Sequence, residues 1–190
     1  MNKHDIIAFF DERAEGWDED TVKNDRIIQT ILDNALVEEG KDVLDVACGT
    51  GVLFEDYLSR GVNVTAVDIS PEMVKVARRK FPQVQVLCCD VQELEKDKTF
   101  DCIMVYNAFP HFPEPEKLIE ALSSMLRPGG TLTVAHGASR AVIDHHHEGH
   151  ASKVSVGLMH EDELEALFSK YLTVTVKISN DCMYQVTGRK

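Results

Sequence analysis

The sequence lacks an excess of positive charge. It contains 20 lysines and arginines against 32 aspartates and glutamates, which gives a formal net charge of −12. Basic residues occur only in short groups such as Arg78-Arg79-Lys80. Because an acidic chain repels a phosphate backbone, this balance disfavours a nucleic-acid partner and suits a small or cationic ligand better.

Long apolar runs are absent as well. No stretch approaches the roughly 20 apolar residues that a membrane-spanning helix needs, and the start of the chain has no segment typical of a signal peptide. We therefore expect a cytoplasmic protein without a membrane partner. Its 190 residues favour one domain with a sizeable core, so we predict a single domain over 1–190.

Cysteine pairs of the CxxC type are also missing. The chain has five cysteines, and most of them lie in apolar runs: Cys48, Cys88, Cys89, Cys102 and Cys182. An odd count in such surroundings predicts small buried thiols rather than a disulfide framework.

Short apolar strands alternate with amphipathic helices along most of the chain. The pattern predicts helices over 5–17, 25–37, 52–60, from 70 onward, over 115–126 and over 161–171. It predicts strands over 43–47, 62–67, 84–89, 100–106, 131–135, 172–178 and 182–187, of which the last two form a hairpin. We therefore predict an α/β fold: a doubly wound, mostly parallel seven-stranded sheet with a C-terminal antiparallel hairpin and helices on both faces.

Ligands of such sheets bind beyond the carboxyl ends of the strands. The first strand ends in a glycine-rich loop, Cys48-Gly49-Thr50-Gly51, which suits either a dinucleotide or an adenosyl group. A dinucleotide fingerprint needs a small third residue, where this chain has Phe54, and an acid at Asp45 would repel a pyrophosphate. A ligand that carries an ammonium and a sulfonium would instead be attracted by Asp45.

Five segments and the N-terminus together resemble one family. Asp45-x-Ala47-x-Gly49-x-Gly51 looks like motif I of class I S-adenosylmethionine-dependent methyltransferases, and the other segments are similar to its later motifs in the same order: 64–70, 86–91, 100–105 and 126–132. The segment 9–18 resembles the N-terminal helix that covers the cofactor in small-molecule members. Asp68 follows Gly51 by seventeen positions, the spacing of one intervening helix.

The resemblance implies S-adenosylmethionine as cofactor and methyl transfer to a small-molecule acceptor. It implies that Asp68 binds the ribose hydroxyls and that Asp90 accepts the adenine amino group. It also implies that 1–37 form cofactor-covering helices and 136–160 a substrate lid. The implied cofactor-binding residues are Trp17, Asp45, Ala47, Gly49, Gly51, Asp68, Ile69, Asp90, Val91 and Tyr106.

Simpler roles compete with these assignments. Taken singly, Asp45, Asp68 and Asp90 could each cap a loop or helix, which is common for an aspartate after a strand. Trp17 could be an ordinary core residue. The glycine loop and the three acids together favour the cofactor.

Histidines are concentrated between the fourth strand and the last helix. The segment 144–150 reads DHHHEGH, after Ser139, which can cap a helix that starts at Arg140. Three explanations compete: a solvated polar helix, which we prefer for His145; a general base; and a bound divalent metal. The candidate catalytic residues are His111, His136, His147 and His150, and the candidate metal ligands are His146, His147 and His150. His111 could also be a cap in a proline-rich turn.

The sequence limits the identity of the methyl acceptor only in part. Many methyltransferases of nucleic-acid amines have an Asn- or Asp-Pro-Pro-Tyr segment after the fourth strand, and Asn107-Ala108-Phe109-Pro110 does not match it. Two other classes of function remain: a non-catalytic regulatory module that binds the cofactor or a metal, and a nicotinamide oxidoreductase, which Phe54 and Asp45 disfavour. We expect a monomer or a homodimer.

Overall fold

The protein is described by a computed structural model, which covers residues 2–19, 23–94, 98–147 and 154–190. For His146 and His147 it describes only the backbone. Within these ranges, no helix is both long enough and apolar enough to cross a membrane.

Helices and strands alternate as the sequence predicts. The helices are α1 Lys3–Arg13, α2 Asp25–Asn34, α3 Phe54–Ser59, α4 Pro71–Lys80, α5 Pro115–Ser124, α6 Arg140–His147 and α7 Glu161–Phe168. The strands are β1 Asp42–Val46, β2 Asn63–Asp68, β3 Gln85–Cys88, β4 Phe100–Tyr106, β5 Leu126–His136, β6 Thr173–Ser179 and β7 Tyr184–Arg189. Short 3-10 helices follow α1, β3 and β4, at Ala14–Gly16, Val91–Glu93 and Phe109–His111.

The seven strands form one sheet in the order β3-β2-β1-β4-β5-β7-β6. The first five strands pair in parallel, and β7 pairs antiparallel with both β5 and β6. The predicted fold class is therefore confirmed. The strand order reverses between β1 and β4, and sheets of this kind bind ligands at the carboxyl ends of the strands beside such a point.

The sheet has an apolar core on each face. Alternate residues of β4 divide between them, because successive side chains of a strand point to opposite faces. Ile103 and Val105 pack with α5 and α7, whereas Cys102 and Met104 pack with α2 and α3. This double-sided burial explains why the central strands are almost uniformly apolar.

Some predictions from the sequence are wrong in detail. Cys88 and Cys182 are exposed rather than buried, because Cys88 lies on the edge strand β3 and Cys182 in the turn before β7. The fifth strand begins at Leu126 rather than at 131, since Pro128-Gly129-Gly130 form a bulged start to β5 instead of a turn before it. Helix α1 ends at Arg13, and a 3-10 turn continues it to Gly16.

The glycine loop after β1 is tightly packed against α3, and this gives a first prediction. Gly51 has a φ of +88°, and a Cβ there would lie 2.6 Å from Cδ2 of the Phe54 ring. We expect Gly51→Ala to lower the free energy of unfolding by roughly 3 kcal/mol, from left-handed strain and overpacking together. Thermal unfolding should show a midpoint lowered by roughly 8 °C.

Gly16→Ala is the matched control, because a Cβ at Gly16 meets no atom within 4 Å. Equal melting temperatures for the two variants would contradict the prediction.

Candidate active site

The N-terminal segment, residues 2–19, lies across the carboxyl ends of four strands. It makes one side-chain contact with the loop after each of them. These contacts are Asp18 with Thr50 after β1, Asp11 with Ser70 after β2, Lys3 with Asp90 after β3, and Phe10 with His111 after β4. The segment therefore covers the edge of the sheet at which the cofactor is predicted to bind.

Acidic side chains of this segment bind the ends of α4. The Ser70 hydroxyl donates to Asp11 Oδ1 at 2.5 Å, so Asp11 adds to the cap that Ser70 itself makes at the start of α4. At the other end of α4, Arg79 forms two hydrogen bonds with Glu15, at 3.0 and 2.9 Å. The Arg79–Glu15 pair is exposed and contributes little by itself. Together with the part-buried Ser70–Asp11 hydrogen bond, it joins the segment to both ends of α4.

The glycine loop is held to the end of β2 by Asp68. One Asp68 oxygen accepts the Gly49 N–H at 2.8 Å, and the other accepts the Ser70 N–H at 2.8 Å. Burial raises the pKa of Asp68, and the N–H donors oppose that rise in part. Asp68 is thus a cap, as the simpler interpretation predicted. A carboxylate has further lone pairs, so this cap does not prevent it from accepting ligand hydroxyls.

Asp45 is buried in the same region without a partner of its own. It is 3% exposed in β1, and among the described residues none forms a hydrogen bond or an ion pair with its carboxyl group. Burial, and next the negative charge of Asp68, raise its pKa well above the usual 3.8. A buried acid without a partner is costly, so a cationic ligand at this position would be strongly favoured.

The raised pKa of Asp45 predicts a specific pH dependence. The folded chain keeps this proton at pH values where the unfolded chain has released it, so the free energy of unfolding should fall as pH rises from about 4, by up to about 1.4 kcal/mol per pH unit. Asp45→Asn removes the titrating group at nearly constant volume and should flatten this slope.

Urea unfolding of both forms over a pH series measures the difference. Asp68 acts in the same direction in both proteins, so the comparison isolates Asp45. Parallel slopes for the two proteins would contradict the assignment.

Asp90 is already engaged by the protein. Its Oδ1 accepts the Gln92 N–H at 2.9 Å, which caps the 3-10 helix after β3, and its Oδ2 pairs with the Lys3 ammonium. The Lys3 side chain is 59% exposed, and such a surface ion pair is weak. An adenine amino group would therefore replace Lys3 at little cost.

The other predicted cofactor residues lie along the same edge. Ala47 has a φ of +55°, which places the chain in a left-handed turn directly after β1. Val91 and Tyr106 are buried at the ends of β3 and β4, and burial raises the pKa of Tyr106 to about 12. Trp17 is partly buried and packs edge-on against Phe10 at 5.4 Å, in a small cluster with α4.

Among the candidate histidines, His111 contacts the N-terminal segment that covers this edge. It ends the 3-10 helix after β4, and its ring meets the Phe10 ring of α1 at 5.0 Å. Its Nδ1 lies 2.7 Å from the Val154 carbonyl oxygen. Because a carbonyl oxygen can only accept, Nδ1 must carry the proton, and in the neutral ring the lone pair is then on Nε2. This is the tautomer that a general base needs.

Residues 154–159, which we call the strap, are hydrogen-bonded to the turn after β4 and to helix α6. The Val156 N–H donates to the Pro110 carbonyl at 2.9 Å, and the Leu158 N–H donates to Asp144 of α6 at 3.3 Å. A cleft of about 650 Å³ lies between the strap, the turn after β4 and the start of α7. Its walls are mainly apolar and include Phe112 and Val156, the latter 60% exposed.

The remaining histidines differ in how far they are buried. His136 is 3% exposed at the end of β5, where its ring faces Tyr184 at 6.1 Å, so it is a core residue of this edge. His145 is exposed on α6, as a solvated helix requires, and Ser139 caps that helix as predicted. The side chains of His146 and His147, and the whole of His150, lie outside the described residues. Within the described part of the chain, no three His, Cys, Asp or Glu side chains could together hold a metal ion.

Sequence reasoning missed the contacts of Lys3, Asp11, Asp18 and Val154. One signal was available: the acids of the N-terminal segment face the basic end of α4, and opposite charges of that kind indicate a contact. The bond between His111 and Val154 joins residues 43 positions apart in the chain, and no local pattern predicts it.

A protein-family model matches the central part of the chain. Residues 43–130 match the model of the methyltransferase domain family. This part of the chain belongs to the methyltransferase domain family. The matched residues include the glycine loop, Asp45, Asp68 and Asp90, so the acids that the structure gathers at one edge all belong to this domain.

Curated relatives of this methyltransferase domain are named as O-methyltransferases. A ubiquinone biosynthesis O-methyltransferase from Coxiella burnetii is 30% identical over 142 residues, which are 70% of this chain and 61% of the relative. The chain thus spans less than two-thirds of that relative's length.

Solved structures share the fold. A chain in the complex between the Haloferax volcanii Trm112 methyltransferase activator and a methyltransferase superposes with a TM-score of 0.79 at 22% identity, over 95% of this chain and 96% of that chain. Magnesium protoporphyrin IX methyltransferase from Synechocystis, solved with bound S-adenosylmethionine, has a TM-score of 0.66 at 17% identity, over 87% and 77% of the two chains. At these identities, the likeness concerns the fold alone.

Proposed function

We propose that this protein transfers a methyl group from S-adenosylmethionine to a hydroxyl group of a small molecule. The observation that carries the proposal is Asp45, a buried acid without a partner among the described residues, beside Asp68 and the glycine loop. A ligand with an ammonium group and two adjacent hydroxyls fits this arrangement: the ammonium neutralises Asp45, and the hydroxyls donate to Asp68.

The residues around Asp90 suit the adenine end of the cofactor equally well. Asp90 has a carboxylate oxygen for the adenine amino group once Lys3 withdraws, and Val91 supplies an apolar wall beside it. The N-terminal segment closes over these residues and excludes water, which keeps the reacting groups aligned. Trp17 and Phe10 form the apolar part of this cover.

A hydroxyl acceptor must lose a proton, and His111 is positioned to take it. Asp45, Asp68 and Asp90 would hold S-adenosylmethionine, which would supply an electrophilic methyl group to the acceptor oxygen and leave as a neutral thioether. His111 Nε2 receives the acceptor proton and later gives it to water. Its Nδ1–H stays bonded to the Val154 carbonyl, which stabilises the charged ring.

The acceptor that we favour is a phenol or catechol with an apolar substituent. The relatives' name supports O-methylation in the biosynthesis of a quinone. The cleft between the strap and the turn after β4 begins one residue from His111, at Phe112, and its apolar walls suit such a substituent.

Two measurements test the proposal. Isothermal titration with S-adenosylhomocysteine should show micromolar binding, and incubation with S-adenosylmethionine and a panel of phenols, catechols, amines and thiols should give methylated hydroxyls. Absence of binding, with thermal stabilisation by NAD instead, would overturn it. Binding without turnover on any acceptor would instead support the non-catalytic regulatory module.

The divalent metal stays a separate prediction. It depends on His146, His147 and His150, whose side chains the structure does not describe. Turnover of the purified protein before and after treatment with EDTA, with the metal content measured in parallel, tests it. Unchanged turnover in a metal-free protein would contradict a catalytic metal.

A further inference from the structure

We propose that Asp144 and Tyr184 are positioning residues for His111, which they hold in its basic tautomer through the strap 154–159. The inference rests on the proposed function, since it assigns these residues to the site of the same base. Within the described residues, neither side chain forms a hydrogen bond or an ion pair with a predicted cofactor-binding residue. Asp144 lies on α6, and Tyr184 begins β7.

The inner end of the strap holds the imidazole and its turn together. Val154 is buried, and its carbonyl accepts the His111 Nδ1–H at 2.7 Å. Two residues later, the Val156 N–H donates to the Pro110 carbonyl at 2.9 Å. The strap therefore contacts both the side chain of His111 and the backbone directly before it.

The outer end of the strap is fixed to the body of the protein. The Asp144 carboxylate accepts the Leu158 N–H at 3.3 Å, and the Tyr184 hydroxyl donates to the Met159 carbonyl at 3.1 Å. Tyr184 is fully buried, and its strand lies between β5 and β6 in the sheet. Strand β7 is hydrogen-bonded to a neighbouring strand on each side, so Tyr184 gives the strap a fixed point of attachment.

The position of the strap determines the tautomer of His111. If the Val154 carbonyl moves away, Nδ1 loses its acceptor and the proton can pass to Nε2. The ring would then present an N–H donor where the acceptor's proton must go. A shift of about 1 Å is enough to break a hydrogen bond of this length and to impair catalysis.

Substitutions that remove single atoms test the inference. Tyr184→Phe removes only the hydroxyl, and Asp144→Ala removes the acceptor of the Leu158 N–H. Asp144→Asn keeps an acceptor oxygen and should behave as the wild type. Tyr171→Phe and Asp181→Ala are the controls, since within the described residues no hydrogen bond or ion pair joins either side chain to the strap or to His111.

The readout is the ¹⁵N NMR spectrum of histidine-labelled protein, with His111 assigned by its loss in His111→Gln. In the wild type we expect the Nδ1–H form, and in Tyr184→Phe and Asp144→Ala a mixture of tautomers. Circular dichroism and S-adenosylhomocysteine affinity should stay unchanged in both. An unchanged His111 spectrum in these two folded variants would overturn the inference.

Kinetics separate this inference from the proposed function. We expect kcat to fall about tenfold in both variants with KM little changed, since a tautomer mixture reduces the active fraction and the base strength together. A changed spectrum with unchanged kcat would leave the strap contact in place but overturn the role of His111 as base, and with it that part of the proposed function.

Discussion

Replacing His111 with glutamine should lower kcat by about 100-fold to 1,000-fold and leave the affinity for S-adenosylhomocysteine unchanged. Glutamine can still donate to the Val154 carbonyl, which now accepts from His111 Nδ1, so the strap keeps its contact. It cannot accept a proton at neutral pH. The loss should therefore concern the chemical step alone.

The pH profile distinguishes a lost base from a lost contact. In His111→Gln the acceptor must ionise without help, so turnover should rise about tenfold per pH unit up to the acceptor's own pKa. The wild type should depend less steeply on pH, because His111 takes the proton of the acceptor. Initial rates with a phenolic acceptor over a pH series measure both.

His145→Gln is the matched control. His145 is exposed on α6, and we expect its substitution to leave kcat and KM unchanged. If His111→Gln retains wild-type kcat at neutral pH, the acceptor needs no base, and an acceptor that is already deprotonated or is a tertiary amine becomes the better assignment.

The succession of strands and acids along the chain was predictable because each of these elements depends on nearby residues. An apolar run that ends in an acid, as at Asp68, indicates a buried strand whose end faces a ligand edge. Ser70 followed by Pro71 predicted the start of α4 correctly, since a cap and a proline act within one turn. The glycine loop likewise depends on a few adjacent residues.

The cover of the site was not predictable in the same way. Its contacts join residues far apart in the chain, such as Lys3 with Asp90 and Asp18 with Thr50. Charge alone permits many such pairs, and only the packing of α1 against α4 selects these. The histidine segment drew attention to 144–150, whereas among the described residues His111, a single residue in a proline-rich turn, contacts the N-terminal segment over the sheet edge.

The exposure of the cysteines illustrates the same limit. Cys88 and Cys102 both lie in strands with apolar neighbours, yet Cys88 is exposed and Cys102 is buried. The difference is that β3 is an edge strand and β4 is central. Position in the sheet depends on the order of strands, which the local pattern around a cysteine does not contain.

Replacing Asp68 with alanine should weaken binding of S-adenosylhomocysteine by about 100-fold, because two hydrogen bonds from ribose hydroxyls to a carboxylate together contribute roughly 3 kcal/mol. The same carboxylate accepts the N–H groups of Gly49 and Ser70 at 2.8 Å each. Alanine leaves both donors without a partner in a buried place, so the glycine loop should also lose order.

Asp68→Asn separates the two effects. The asparagine oxygen can accept from one of the two N–H groups, but its amide nitrogen would face the other donor. We therefore expect affinity between those of the wild type and Asp68→Ala, with thermal stability closer to the wild type. Titration calorimetry and thermal unfolding, with Asp181→Ala as the surface control, measure both quantities. Wild-type affinity in Asp68→Ala would mean that the ligand does not bind at the end of β2, and the proposed site would be wrong.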